Sequence, residues 1–433
     1  MVLCQVSARF IEWFKYGCVS NFKIVMFISK RKEQILILYG STLMGVFLGV
    51  ISSVINTRNL SPVEFGDVRY IQNLISFISS ILLFGYLTSG SRLLALSHDE
   101  VYSRKIRGAI MAVVLTTMAI LSLCMFCFYL VSLLGGANNL TPLYFISIFL
   151  GGNVILLNYI NTTSQGDNHI MRMSLARLLP TLLYVLFAVI VYRSCSATSG
   201  LMLTLYNGIA ILVLGLIIYS THPDFKNIKT SFKILNEENK KYGIQVYIGS
   251  LAGVSTTYIA GITLSYFCVD NTNVGFYTLA LTIANPLSLL PSIIGTTYFK
   301  QFATQNRISN KIIVSSLLMS AVTLFLFIII IDYIVQFLYD DTYRSVSTYA
   351  SYLAISSSLH GIGDMFNRFL GSHGLGKYLR NGAFVCGFIK VLGSILLVYY
   401  YQIWGAIATV IMADMAYLLM MLKYYCSFAQ KTA

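Results

Sequence analysis

Lys390 is the only Lys, Arg, His, Asp or Glu between Asn381 and Tyr401. An ammonium in so apolar a run must either be paired or face water. Asp414 occupies the middle of the next run, 404–425, and the joining turn is so short that the two residues come to similar depth. In hydrocarbon, a charge at mid-depth costs roughly 2.5–3.5 kcal/mol even on the lenient insertion scale. Two interpretations are open. The two residues form an ion pair that pins two helices, or Lys390 offers a cavity cation to an anionic ligand while Asp414 serves ion coupling. His360, Asp364 and Arg368 recur every four residues and so share one helix face. Such a stripe can relay protons or couple movement to an ion gradient. A local Asp364–Arg368 pair at the helix end is the plainer alternative. Arg92 closes an earlier apolar run, where a guanidinium grips phosphate-type oxygens bidentately or simply snorkels to the interface. Asn153 and Asn285 are amides deep in apolar runs, suited to hydroxylated ligands and equally to gluing helices together. Pro286 and Pro291 interrupt a helix from within, as hinges or as fixed kinks.

The elements that carry these residues are apolar runs of spanning length. Of the 433 residues, 57% are hydrophobic and 11% charged, against about 25% charged in an ordinary globular protein. Such a chain cannot cover a water-facing sphere, so its solvent is lipid. A helical span takes about 20 apolar residues. Twelve runs qualify: 35–56, 70–96, 108–134, 141–163, 174–192, 200–220, 244–268, 274–298, 311–338, 346–370, 381–401 and 404–425. With the N-terminus inside, 24 of the 30 Lys and Arg fall in inner segments or at the inner ends of runs (Arg177, Lys311, Arg368 and Lys423 among the latter), 4 in outer loops (Arg58, Arg69, Arg193, Arg344), and Arg92 and Lys390 are set apart as intramembrane. One miscounted span would reverse every later loop, so this bias supports the number and predicts cytoplasmic termini. The net charge of +14 is thereby assigned to topology and anionic lipid headgroups, and nucleic acid is excluded as a partner.

The expected class is an all-α integral membrane protein of about 12 transmembrane helices in two six-helix lobes. Residues 1–34 form an N-terminal extension, 35–220 the first lobe, 221–243 a basic linker, 244–425 the second lobe and 426–433 a tail. A faint repeat supports the division: Gly166 and Arg172 precede the fifth run as Gly374 and Arg380 precede the eleventh. The extension mixes aromatic and basic residues, as an interfacial helix does; alternatively Met26 is the true start. Cys124 and Cys127 lie within an apolar run, where core packing is expected rather than metal or redox chemistry. Cys195 and Cys268 both fall near the outer face, where a disulfide is conceivable. There is no Walker motif, nucleophile elbow or H-E-x-x-H in the chain.

The segment Arg58-x-Leu60-x-Pro62-x-Glu64-Phe65-Gly66 after the first run resembles the pattern found there in O-antigen and polysaccharide flippases of the Wzx type. These belong to the multidrug/oligosaccharidyl-lipid/polysaccharide (MOP) exporter superfamily. Gly90-x-Arg92, Pro286 and Pro291 followed by Phe299 and Phe302, and Gly405-Ala406-Ile407-Ala408 fit the same family. The resemblance implies a MATE-like fold with a central cavity in the bacterial inner membrane. It implies an undecaprenyl-pyrophosphate-linked oligosaccharide as substrate, moved between leaflets by alternating access. Lys390, Arg92 and Arg58 would then meet the pyrophosphate. Asp414, Asp364, His360 and Arg368 would serve coupling to H+ or Na+, with no other cofactor, and Asn153 and Asn285 would face sugar. Membrane lipids, a polysaccharide polymerase and a chain-length regulator would be partners. Two alternatives are a MATE-like drug or solute exporter, which would want acidic residues in the first lobe, and a polymerase- or ligase-type membrane enzyme. The enzyme is disfavoured because every outer loop is short.

Overall fold

The structure, a computed structural model, describes residues 30–97, 99–254 and 256–431. The expectations for an interfacial helix and for a start at Met26 lie outside the described residues. Those residues form helices joined by turns, without a strand. The helices are α1 Lys30–Asn59, α2 Pro62–Leu82, α3 Tyr86–Leu96, α4 Glu100–Leu134, α5 Thr141–Leu150, α6 Asn153–Gly166, α7 Ile170–Ser194, α8 Ser199–Tyr219, α9 Ile228–Glu238, α10 Ile244–Val254, α11 Thr256–Phe267, α12 Thr272–Ala284, α13 Pro286–Thr297, α14 Phe299–Phe302, α15 Asn310–Leu338, α16 Ser345–Ser372 and α17 Gly376–Lys431.

Among the described residues the twelve apolar runs coincide with helix; those at 70–96, 141–163 and 274–298 are interrupted, at 83–85, at Gly151–Gly152 and at Asn285, and 244–268 holds both α10 and α11. By length and composition, eight helices among the described residues are able to cross a membrane, or nine if α2 and α3, bent by 61°, make one span. α17 passes that test as a single stretch, Gly376–Gln430. It folds back on itself at Gln402, whose φ of 49° and ψ of −125° are non-helical. Its two arms are antiparallel: a methyl group at residue 393 would come within 2.6 Å of the Thr409 side chain.

Helix packing sorts largely by position in the chain. α1 packs on α7, α7 on α8, α3 on α6 and α4 on α5; α16 packs on α13, α15 and α17. Contact between the earlier and later sets runs chiefly through α2, which lies against α11 and α12. A large core continues across both sets, and a second cluster around Phe302, Phe366, Phe369 and Met421 fills the later set near the ends of α13 and α16.

The Arg58–Gly66 motif is legible as architecture. Ser61 caps α2, accepting from the Glu64 N–H at 3.3 Å while Glu64 Oε2 accepts from the Ser61 N–H at 3.1 Å. Pro62 supplies the first helical residue, where no N–H is needed. Phe65 is fully buried with its ring edge-on to Tyr343. At Gly66 any Cβ would lie 1.8 Å from the Asn271 carbonyl oxygen, so only glycine lets α2 meet the start of α12. Arg58 donates to the Leu338 and Phe337 carbonyls at 3.0 and 3.1 Å. It therefore caps the last turn of α15, away from the cavities that hold Lys390 and Arg368. Ser53 with Tyr339 (2.8 Å) and Asn271 with Asp67 (2.7 Å) complete a polar closure across the same charge-poor end.

Arg69 is also relocated. It was counted with the outer loops, but the Ser61–Glu64 cap starts α2 earlier, and Arg69 lies two turns inside it. Its guanidinium donates to Gln72 Oε1 at 3.0 Å and sits 4.9 Å from the Phe65 ring. Cys195 and Cys268 are free thiols, so the disulfide is absent. Cys124 and Cys127 are free as well, and no group of three or more metal-ligating side chains occurs among the described residues.

At the opposite, basic end the linker is fastened to α3 and α4. Gly85, at φ 79°, ends the α2–α3 bend, and a Cβ there would meet the Gly243 carbonyl at 2.4 Å. Asn239 donates to the Phe84 carbonyl at 3.1 Å, and Tyr86 stacks on Phe232. Arg92 belongs to this junction: it pairs with Glu238 at 2.5 Å and lies over the Tyr242 ring at 4.8 Å. Its charge is thus engaged by the linker.

Candidate functional site

The hairpin of α17 sets Lys390 on one arm beside Asp414 on the other. Their charged atoms are 3.9 Å apart, with side chains 14% and 7% exposed. α16 completes the group. Ser356 donates to Asp414 Oδ2 at 2.5 Å, and His360 Nδ1 lies 3.1 Å from Oδ1. The His360 ring stacks on Tyr417 at 5.1 Å and keeps its other side toward open space, at 44% exposure. One carboxylate thus serves a hydroxyl, an imidazole and an ammonium. A buried carboxylate so shared can exchange its partners as protons or a small cation come and go. These residues line a cavity of about 250 Å³ together with Tyr277, Asn285, Ser288 and Ser394.

The stripe of α16 divides its labour. His360 turns to α17. Asp364 accepts from Ser292 of α13 and lies 3.6 Å from Arg368 Nε. Arg368, 45% exposed, reaches a cavity of about 480 Å³ between the two sets of helices. Across that cavity stands Arg177 of α7, with Ser164, Gln165 and Asn168 beside it. Arg177 was placed with the inner loops from sequence, although it falls inside the run 174–192, one turn before Pro180; that position was the available signal. Its Nε donates to Asn161 at 3.2 Å. Among the described residues no carboxylate pairs with it, so its charge is open to an external anion.

Shared walls link the cavities. Asn285 and Ser288 belong both to the Lys390 cavity and to one of about 580 Å³ between α1 and α13, whose wall also includes Arg177. Pro286 begins α13 and has no N–H to continue α12, so the helix opens and Asn285 is bared to both cavities. Pro291 is buried within α13. Asn153 is buried too, donating to Asn207 Oδ1 at 3.1 Å on the wall of another cavity, of about 220 Å³, that also reaches Arg177. Of the residues expected to act together, Lys390, Asp414, His360 and Asn285 share one cavity and Arg368 its neighbour, while Arg58 and Arg92 stand apart.

A model of the family described as polysaccharide biosynthesis protein matches residues 32–299. Comparison with curated proteins returns no match. Among solved structures, an inward-facing multidrug resistance MATE family transporter of the MOP superfamily aligns with TM-score 0.68 at 13% identity, covering 92% of this chain and 100% of the other. The lipid II flippase MurJ, in an inward closed conformation, aligns at 0.65 and 12% identity, over 91% of this chain and 90% of its own. The MATE multidrug transporter DinF-BH, solved as a complex, also aligns at 0.65, with 13% identity over 92% and 94%. These likenesses establish the helical architecture as MATE-like. With the family model covering more than half its length, the chain belongs to the polysaccharide biosynthesis protein family, a multi-pass membrane protein with a MATE-like fold.

Proposed function

We propose that this protein is a flippase that moves a polyprenyl-pyrophosphate-linked oligosaccharide across the bacterial inner membrane by alternating access. Its main support is one observation: Arg177 and Arg368 line a single cavity between the earlier and later helices, and among the described residues Arg177 has no acidic partner. Two guanidiniums facing one open space suit a pyrophosphate, whose oxygens accept charge-assisted hydrogen bonds. The basic end, where that cavity lies, is cytoplasmic by loop charge, and all twelve runs cross. Helices 35–220 and 244–425 act as two lobes. The prenyl tail stays in lipid while the headgroup passes between them. The Lys390–Asp414–His360 group couples this movement to H+ or Na+, and a polymerase and a chain-length regulator receive the product.

The fold is shared with multidrug transporters. A cationic drug would want a carboxylate in the cavity. The residues lining the space between Arg177 and Arg368 include none, which favours the anion.

The test is made in cells. With Arg177→Gln, surface polysaccharide should fall about tenfold or more while membrane protein level holds and lipid-linked oligosaccharide accumulates. Arg177→Lys should keep part of the activity. Normal surface polysaccharide in Arg177→Gln would refute the role given to the cavity.

A further inference from the structure

We infer that the first half of the chain carries a carbohydrate subsite, formed by the amides of Asn153 and Asn207 beside Arg177; this rests on the flippase proposal above. The cavity of about 220 Å³ that begins at Arg177 runs between α2, α6, α7 and α8. It shares Ser76 with a second cavity of about 380 Å³, which continues past Asn158 and Thr162. No Asp, Glu, Lys or His lines either space among the described residues, and Arg177 is their single cation. The ionic Lys390 cavity of the other half has no such neutral character.

The amide chemistry is unfinished. Asn153 Nδ2 donates to Asn207 Oδ1 at 3.1 Å. Asn207 is 2% exposed, and its own Nδ2 is buried without an acceptor. Buried N–H groups are ordinarily satisfied, and Asn207 lines this cavity, so its unmatched amide calls for an acceptor from outside the chain. A sugar hydroxyl accepts and donates at once, which matches the mixed donors and acceptors of amides and hydroxyls. Tyr206, on the same wall and held edge-on by Tyr184 at 5.2 Å, offers an apolar face to a pyranose ring. A charged headgroup would bring carboxylates or more cations; a purely apolar drug would leave the amide unmet. The sugar next to the pyrophosphate therefore sits in the first half while Arg177 holds the phosphate.

The test uses full-length protein in lipid nanodiscs and two kinds of probe: undecaprenyl pyrophosphate alone, and the same lipid carrying one hexose or N-acetylhexosamine. The unmodified protein should bind at least one glycosylated lipid about tenfold more tightly than the bare one. Asn207→Leu should erase most of that difference without weakening the bare lipid. Ser76→Ala, a smaller change that leaves packing intact, should narrow it about threefold. Arg177→Gln should weaken both kinds of lipid alike. If neither sugar improves binding, or Asn207→Leu and Ser76→Ala both keep the full preference, the subsite is refuted while the flippase proposal stands. If the bare lipid binds no better to the unmodified protein than to Arg177→Gln, the flippase proposal itself fails.

Discussion

Lys390 and Asp414 offer the sharpest contrast between pinning and transport. Breaking a buried ion pair leaves one charge stranded, which costs about 3–5 kcal/mol, whereas replacing both partners with apolar residues of similar volume is often neutral. Asp414→Leu alone should therefore lower the thermal stability of the purified protein by several degrees. Lys390→Met combined with Asp414→Leu should recover most of that loss. If the pair only pins the arms of α17, the double variant also recovers transport; the coupling role assigned here predicts a stable protein that transports poorly. Unfolding followed by tryptophan fluorescence, with surface polysaccharide measured in parallel, separates the two. Sequence exposed this pair because a lone ammonium in an apolar run is anomalous in itself. His360 was visible as a member of a stripe, but not as a partner of Asp414, since that contact joins α16 to α17 across 54 positions. Arg177 was misplaced because an arginine near the end of a span looks the same whether it snorkels to headgroups or turns inward.

The long helices were legible from the length of the apolar runs, α9 in the linker was not, and the breaks within the runs were legible only in part. Pro286 announced the α12–α13 opening. The Gly85 bend was less evident, because it depends on the linker's Gly243 arriving from more than 150 residues away. The segment Arg58–Gly66 shows how a family motif can be structural: each of its residues caps or packs an element at the charge-poor end. Gly66→Val should accordingly prevent stable packing of α2 on α12, since the obstructing atom is a backbone carbonyl that cannot rotate away. Overpacking of that kind costs about 1–3 kcal/mol or more, and should appear as loss of monodisperse protein on size-exclusion chromatography. Ser61→Ala removes the cap alone and should cost about 1 kcal/mol, leaving the profile monodisperse with a slightly lower melting temperature. Equal behaviour of the two variants would contradict this account of the motif.

For the whole molecule, under the proposed flippase function, the polar closure at the charge-poor end and the cavity at the basic end are one side of an alternating cycle. Ser53–Tyr339, Asp67–Asn271 and Arg58 on the end of α15 join earlier helices to later ones, so the proposed cycle requires them to part. Cysteines at 67 and 271, introduced with the native thiols replaced by serine, should arrest transport on oxidation and release it on reduction. The linker is fastened to α3 and α4 and is expected to travel with the first lobe. The most direct measurement is translocation of undecaprenyl-pyrophosphate-linked oligosaccharide in proteoliposomes containing only the purified protein, read as protection of the sugar from an added glycosidase. The account predicts movement with the unmodified protein and about a tenfold or greater loss with Arg177→Gln; equal movement by both proteins would contradict it.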